Sequence, residues 1–488
     1  MQNQSQNHDV DSSRRSFFRN TGAALLAGYA FSNKMGLAQN VQRANSEYQS
    51  ITVTTHEWNG DIDERLDFPK DWKIQTVEMA GAKSPVMTDQ QIIDAIRKPI
   101  GTKQLRDIAA GKKTACVLFD DLTRPTPASA VAKHIINELN AAGIDDDHIL
   151  FYGALGTHEH LSQPDTRKKL GEEVVNRCTW LNHDIFHNFV PVGRTSFMNR
   201  ISVNSYYWKT DVKVAISGVK VHVTAGYGGG AKIILPGVSD FDAIFYNHQT
   251  VSQAQRNNDT DVAAGNPTVG NGKIIGNDMR TDMIEAARLA KLDFTVQIVY
   301  NGKRQPVAMF AGDVEEAHIE ACRYANKHYT NTVQLKGGFA DVTVVNRYPQ
   351  CKQGDLVGPA LKAGGSLVYI VNNPEMLSPH HYLRQYRWYR GMDASWWDTF
   401  YDAPGVGVPK TGGDYLDNLT QILYFSQYAQ KKDLINNGRR KNIKVCRTWD
   451  EVLKNLEPAH KSGAQVAVYP YYSIQSDPVP LEQPVKKA

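Results

Sequence analysis

Three short apolar runs, each followed at once by a polar loop, constrain this chain more than any other feature. Thr114-Ala115-Cys116-Val117-Leu118-Phe119 has the continuous apolar pattern of a buried strand, and it stops at Asp120-Asp121-Leu122-Thr123-Arg124-Pro125-Thr126-Pro127. Ala128 to Ala142 then carries Val131, Ile135, Ile136 and Leu139 at helical spacing and ends near Gly143. The pattern returns in His148 to Leu155, followed by Gly156-Thr157-His158-Glu159-His160, and again in Val212 to Ile216. Strand, polar loop, helix, strand predicts an α/β fold with a parallel sheet. Ligands of such sheets bind beyond the carboxyl ends of the strands. Asp121 with Arg124, His158 and His222 follow three successive strands, so they are expected to converge although about 100 positions separate the first from the last.

The 488 residues leave room for roughly two to four domains. A second set of α/β signals begins near residue 312. Gly312-Asp313-Val314 leads into a helix through His328, followed by a strand at Asp341 to Asn346, a helix over Leu356 to Ala363 and a strand at Leu367 to Val371. A last strand, Gln465 to Tyr469, is expected to return to the first domain. The expected organisation is residues 56–311 as a catalytic, cofactor-binding α/β domain and 312–460 as a second α/β domain. Residues 461–488 form a return segment and tail, and the active site lies in the cleft between the two domains.

The first residues differ in kind. Ser12-Ser13-Arg14-Arg15-Ser16-Phe17-Phe18-Arg19 precedes a short apolar stretch, Gly22 to Phe31, and then Gly36-Leu37-Ala38. A basic region, an apolar core too short for a bilayer and a small-residue cleavage site read as a twin-arginine export signal over residues 1–38. A polar linker covers 39–55. The alternative is a disordered tail with a chance Arg-Arg pair. The export reading places the mature protein in the periplasm, with the twin-arginine translocase as a partner and a cofactor inserted before export. A net charge of +4 demands no nucleic acid or anionic membrane, and no apolar run is long enough for stable membrane insertion. Five scattered cysteines without CxxC spacing argue against a disulfide framework or a zinc ribbon.

The stretch from Ser217 to Thr250, SGVKVHVTAGYGGGAKIILPGVSDFDAIFYNHQT, holds a glycine-rich loop ending in Lys232. It is not a phosphate loop, because Ala231 precedes the lysine and Ile233 follows it, where Gly and Ser or Thr are needed. It also fails the GxGxxG pattern. So many glycines between a strand and an apolar run imply either a plain loop or close approach by a ligand. Lys232 beside Ile233, Ile234 and Leu235 is either a nucleophile made neutral by burial or a lysine reaching out to water. Arg124, rigidly set before Pro125, suits a carboxylate or phosphate, the alternative being an ion pair with Asp120 or Asp121. His158/His160 and His183/His187 raise a zinc reading, although neither pair has the HExxH spacing and 183/187 reads as structural.

Taken in order, DDLTRPTP, GTHEH, HVTAGYGGGAKIILPG and the NH of Asn247-His248 resemble the lactate racemase family of nickel-pincer nucleotide enzymes. The resemblance runs from roughly residue 50 to 475. It implies that Lys232 is covalently attached to the cofactor, a nickel-bearing pyridinium-3,5-bisthiocarboxylic acid mononucleotide made by dedicated biosynthetic proteins. It implies that His248 ligates the nickel and that Asp121, Thr157, Gly229 and Gly230 line the cofactor. His158 and His222 become paired acid/bases, and Arg124 binds substrate. The chemistry implied is racemisation or epimerisation of a hydroxyl-bearing carbon, in a 2-hydroxy acid or a sugar derivative, by hydride transfer to and from the tethered cofactor. Imidazole suits the proton steps because its pKa lies near neutral pH.

The second half departs from the lactate-type pattern. Asn346-Arg347-Tyr348-Pro349-Gln350-Cys351-Lys352-Gln353 stands where a glycine-rich segment is expected, with Lys352 and Gln353 as the substrate-orienting groups. The aromatic and arginine-rich segment His380 to Trp397 reads either as a pocket wall for a larger polar ligand or as a packing helix. The rival functions are a zinc-dependent hydrolase and a non-catalytic periplasmic binding protein.

Overall fold

The computed structural model describes residues 47–252, 266–350, 359–374, 415–429, 442–479 and 481. The chain forms two compact units, residues 1–49 with 68–70 and residues 50–67 with 71–488, and both sheets and the candidate site lie in the second. The signal segment 1–38, Lys352, Gln353 and the stretch from His380 to Trp397 fall outside the described residues.

The strands that matter are, in chain order, β1 (Lys73–Thr76), β2 (Ala115–Phe119), β3 (Ile149–Gly153), β4 (Thr179–Asn182), β5 (Val212–Gly218), β6 (Phe294–Tyr300) and β7 (Pro306–Gly312). They continue as β8 (Ala340–Asn346), β9 (Leu361–Ile370), β10 (Gln421–Phe425), β11 (Ile443–Cys446) and β12 (Gln465–Tyr469). Two six-stranded sheets result, ordered β7-β6-β5-β2-β3-β4 and β11-β10-β9-β8-β12-β1. The first is parallel except for β7, which runs antiparallel to β6. The second is parallel throughout.

Every residue of β2 is buried, as its unbroken apolar run requires of a central strand covered on both faces. Helix α1 (Ser129–Ala141) lays Val131, Ile135, Ile136 and Leu139 on one such face, in a core shared with Val117, Val214 and Val296. Helix α2 (Asp278–Leu289) covers the other face, with Met279, Met283 and Ala286 against Leu118 and Ala215. Helix α3 (Glu316–His328) starts where the Asp313 carboxylate accepts the amides of Glu315 and Glu316 at 2.9 and 3.2 Å.

Two expectations are corrected. Gln465–Tyr469 does not return to the first sheet; it is inserted between β8 and β1 of the second. Val466, Ala467 and Val468 are fully buried, so this strand needs a partner on each edge, and the second sheet supplies both. The helix expected over Leu356 to Ala363 is not formed by its described part. Leu361 already pairs with Ala340, and Leu361–Ile370 is one long strand. Gly364 and Gly365 interrupt helical propensity there, and the ladder to β8 supplies the backbone bonds instead.

Each sheet has a point where strand order reverses. In the first, the chain runs from β2 outward through β3 and β4, then returns to place β5 and β6 on the opposite side of β2. In the second, β9, β10 and β11 lie to one side of β8, and β12 and β1 to the other. A crevice opens at the carboxyl ends of the strands at such a point.

Candidate active site

The loop after β2 is fixed from beneath by Lys169, whose ammonium is wholly buried. Its Nζ stands 2.5 Å from Asp120 Oδ1 and donates to the carbonyls of Asp121 and Arg124 at 3.0 and 2.9 Å. Asp120 also accepts Thr126 Oγ1 at 2.6 Å, and Trp58 Nε1 donates to the Leu122 carbonyl at 2.9 Å. Asp120 and Lys169 therefore serve the loop, leaving Asp121 for the site.

Asp121 Oδ2 accepts Nδ1–H of His158 at 2.6 Å, and its Oδ1 accepts the Thr123 amide at 2.5 Å. Burial alone would raise the Asp121 carboxyl, but His158, then Arg124 and the Thr123 bond, hold it well below the ordinary range. An ionised carboxylate only accepts, so Nδ1 of His158 carries a proton, which in a neutral ring leaves Nε2 without a hydrogen. That is the form of a base. Arg124 is half-buried, with Nη1 donating to Thr123 Oγ1 at 2.9 Å.

His222 is held in the opposite sense. Its Nδ1 accepts the backbone amides of Thr224 and Ala225 at 3.3 and 3.2 Å, so in the neutral ring Nε2 carries the hydrogen. Burial, then the charges of Lys232, Arg124, Lys220 and His248, push its pKa well below the usual value. His222 thus lies within electrostatic range of all four. His158 follows β3 and His222 follows β5, with β2 between, so they leave the sheet two strand spacings, roughly 10 Å, apart.

The glycine loop is braced by the protein itself. Arg280 donates to the carbonyls of Ala225 and Gly229, both at 3.0 Å at the closest, and also to that of Tyr227. His318 Nε2 donates to the Gly228 carbonyl at 2.9 Å, and Gln297 Oε1 accepts the Gly230 amide at 2.8 Å. Gly229 and Gly230 both have positive φ, and a Cβ on them would stand 2.8 Å from Gln297 and 2.7 Å from His318. Protein packing is thus sufficient reason for both glycines. Lys232 leaves this loop on a short 3₁₀ turn, Gly230–Ile233, half-buried. Burial, then Arg280 and Arg124, hold its ammonium well below the usual lysine range.

His248 lies in a π-helical turn, Tyr246–Val251. Its Nδ1–H donates to the Ile244 carbonyl at 3.0 Å, which leaves Nε2 bare. Burial, then Lys232, lower its pKa to about 3, so it is neutral at every ordinary pH. Its neighbour Asn247 is anchored on Asp282 at 2.7 Å. The other histidine pair does not chelate: His183 is buried against the Ser239 carbonyl at 3.1 Å, while His187 is exposed beside Asp184. Among the described residues, no group of three or more His, Cys, Asp or Glu is arranged to hold a metal.

Residues 60–260, which contain every site residue just described except Trp58 and those of α2 and beyond, match the family model for the lactate racemase N-terminal domain. The chain is 28% identical over 336 residues to the lactate racemase of Thermoanaerobacterium thermosaccharolyticum, covering 67% of this chain and 75% of that one. Against the lactate racemase of Lactiplantibacillus plantarum it is 25% identical over 254 residues, covering 51% of this chain and 57% of that one. The fold matches the lactate racemase apoprotein of T. thermosaccharolyticum with a TM-score of 0.62 at 21% identity, over 88% of this chain and 99% of that one. A Thermotoga maritima protein matches with a TM-score of 0.55 at 17% identity, over 80% of this chain and 98% of that one. Residues 60–260 thus match a lactate racemase N-terminal domain, and the chain as a whole is similar to lactate racemases in sequence and fold. It is an isomerase of the racemase class.

The resemblance noted in the sequence implies a metal-bearing anionic nucleotide, and the donors just described are of the kind that could hold one. A bare, neutral imidazole nitrogen at His248 is a metal donor, with its other nitrogen oriented by a carbonyl. Burial, then the charges of Arg280 and Arg124, bias Lys232 towards the free amine. Lys220 escaped the sequence reading. Its Nζ donates to the Ser473 carbonyl at 3.0 Å, and burial, then Arg124 and Arg347, lower its pKa well below the usual value. Arg347 follows β8 and Ser473 follows β12, so Lys220 is where the reversal points of both sheets meet. One cue was available: Lys220 and His222 alternate in an extended segment and so share a face.

Proposed function

We propose that this racemase inverts a hydroxyl-bearing carbon of a 2-hydroxy acid or a sugar-derived hydroxy compound, with a nickel-pincer nucleotide carried covalently on Lys232. The reading is carried by the braced glycine loop that ends in half-buried Lys232, within electrostatic range of His248, whose Nδ1 is engaged by the Ile244 carbonyl. The relatives' names, lactate racemase, favour a small 2-hydroxy acid.

Lys232 would hold the nucleotide and His248 would ligate its nickel. When bound, the cofactor supplies a two-electron acceptor that takes and returns the hydrogen on the substrate's reacting carbon. Arg124 and Lys220 bind the anionic end of the substrate and fix its orientation. His158 Nε2 takes the hydroxyl proton, and the Asp121 carboxylate stabilises the imidazolium that forms. His222 faces the substrate from the far side of the β2 loop. In the epimer whose hydroxyl points that way it exchanges the proton, which requires its Nδ1 to let go of the Thr224 and Ala225 amides. Thr157, Gly229 and Gly230 border the cofactor, and Lys352 and Gln353 are assigned to substrate. Export to the periplasm by the twin-arginine route, read from Arg14-Arg15 and the short apolar core after them, belongs to the same proposal.

The test is intact-mass analysis of protein co-produced with the cofactor's biosynthetic enzymes. An adduct is expected on the native chain and none on Lys232→Ala; a native chain without adduct refutes the cofactor assignment. A substrate deuterated at the reacting carbon should keep its label through inversion. Washout into water would mean proton abstraction from carbon instead.

A further inference from the structure

Arg280 is 2% exposed and sits on the core-facing side of α2 between Met279 and Met283. Burial draws its pKa down to about 10, with Cys322 opposing, so it remains charged at neutral pH. Its guanidinium is turned onto backbone carbonyls: Nε and Nη2 reach Ala225 O at 3.2 and 3.0 Å, Nη1 reaches Gly229 O at 3.0 Å, and Nη2 also reaches Tyr227 O. These carbonyls belong to alternate residues of the glycine loop. Only a planar fork with five donors can gather them at one point; an ammonium is a compact charge with three. His318 takes the intervening Gly228 carbonyl, so carbonyls of four residues in succession but one, from Ala225 to Gly229, are spoken for before the chain turns to Lys232.

We propose that Arg280 is a positioning residue for Lys232: its fork holds the glycine loop in the conformation that presents the lysine amine to the pocket, and its positive charge disfavours a second cation there. The inference rests on Lys232 being the covalent anchor, but its test needs no cofactor. Arg280 acts from α2, Arg124 from the loop after β2, and His222 and His248 from the two sides of the glycine loop in sequence. Burial and the two arginines bias Lys232 towards the free amine.

The experiment is competitive acetylation of the cofactor-free chain with acetic anhydride across pH, each lysine read by peptide mass, with exposed Lys112 as the internal reference. In the native chain Lys232 should acquire label at markedly lower pH than Lys112. Arg280→Gln, which keeps an amide donor and loses the charge, should shift the Lys232 profile upward by about one pH unit, or about tenfold slower labelling at pH 7.5. Arg280→Lys, which keeps the charge and loses the fork, should leave the profile in place. It should slow Lys232 labelling and speed amide hydrogen exchange across residues 226–230. A folded Arg280→Gln chain with an unchanged Lys232 profile and unchanged Lys112 labelling overturns the proposal. Should that variant not fold, Arg280→Lys with native labelling and native exchange overturns it equally. An absent mass adduct on the native, cofactor-exposed chain would sink the anchor role of Lys232 while leaving the Arg280 result standing.

Discussion

Asp121 separates the two histidines that the sequence treats alike. His158 has a carboxylate behind Nδ1, whereas His222 has two backbone amides there, so they present opposite hydrogen-bonding character to the pocket. Asp121→Asn should therefore lower kcat by on the order of 10²–10⁴-fold in steady-state racemisation, because an amide facing Nδ1 favours the wrong tautomer. The Asn carbonyl can still accept the Thr123 amide, so thermal unfolding should change little. The Asp121 carboxyl is depressed in the fold, so its contribution is complete above the unfolded value near 4 and is lost only as pH falls through the folded one. The kcat ratio should accordingly be flat from pH 5 to 8. Lys220→Met keeps the aliphatic stem and removes the amine donor; substrate KM should rise about tenfold with kcat nearly kept, since a donor that holds substrate and transition state alike affects binding. His158 and His222 stand out in the sequence because each follows a predicted strand, whereas Lys232 and His248 are singled out only by the ordered motifs of the resemblance. Lys220 was hidden because its partners, Arg124, Arg347 and Ser473, come from remote positions that only the fold unites.

Helix α2 shows what can be read of an element and what cannot. Its apolar stripe, Met279, Met283, Ala286 and Ala290, is visible in sequence, but Arg280 and Asp282 on the same buried side look like solvent-facing charges. In the fold Asp282 is a fully buried hub: it accepts Thr195 Oγ1 at 2.6 Å, Asn199 Nδ2 at 2.9 Å and Asn247 Nδ2 at 2.7 Å. It thereby ties the π-helical turn bearing His248 to the β-ribbon preceding the first-sheet strand β5. Asn247→Ala removes the bonds to Asp282 and to the Met279 carbonyl. It should cost about 1.5–3 kcal/mol in urea unfolding and, under the proposed function, reduce nickel retained per loaded chain. An unfolding midpoint equal to that of the native chain would show the hub to be dispensable. The same lesson applies to β9. Leu-Lys-Ala is helical by propensity, and only the neighbouring β8, supplied by tertiary structure, makes it a strand.

Across the whole molecule, the two sheets use one rule twice, and the site sits where their reversal points meet at Lys220. The first reversal was legible because β2, β3 and β5 follow one another with plain apolar runs. The second was not, since β12 is separated from β8 by more than a hundred residues and by the other strands of its sheet. Gathering the chain this way buries neutral imidazoles: burial lowers His248 and His318 to about 3, and His56 and His183 to about 4. For each, the unfolded chain takes up a proton near pH 6.5 while the folded chain does not, so the unfolded state binds more protons as pH falls. Stability is therefore complete above pH 6.5 and declines as pH drops toward the folded value. His183 isolates the effect, since it is wholly buried and its ring is held by the Ser239 carbonyl. His183→Gln keeps a donor for that carbonyl and cannot titrate. Urea unfolding of the two chains should give a free-energy difference that moves in favour of the variant by about 1.4 kcal/mol per pH unit between pH 6 and 4.5. It should level off below about 4, where the folded imidazole also protonates. A difference that stays constant across that window would mean His183 titrates alike in both states, and that its burial does not exclude the charged ring.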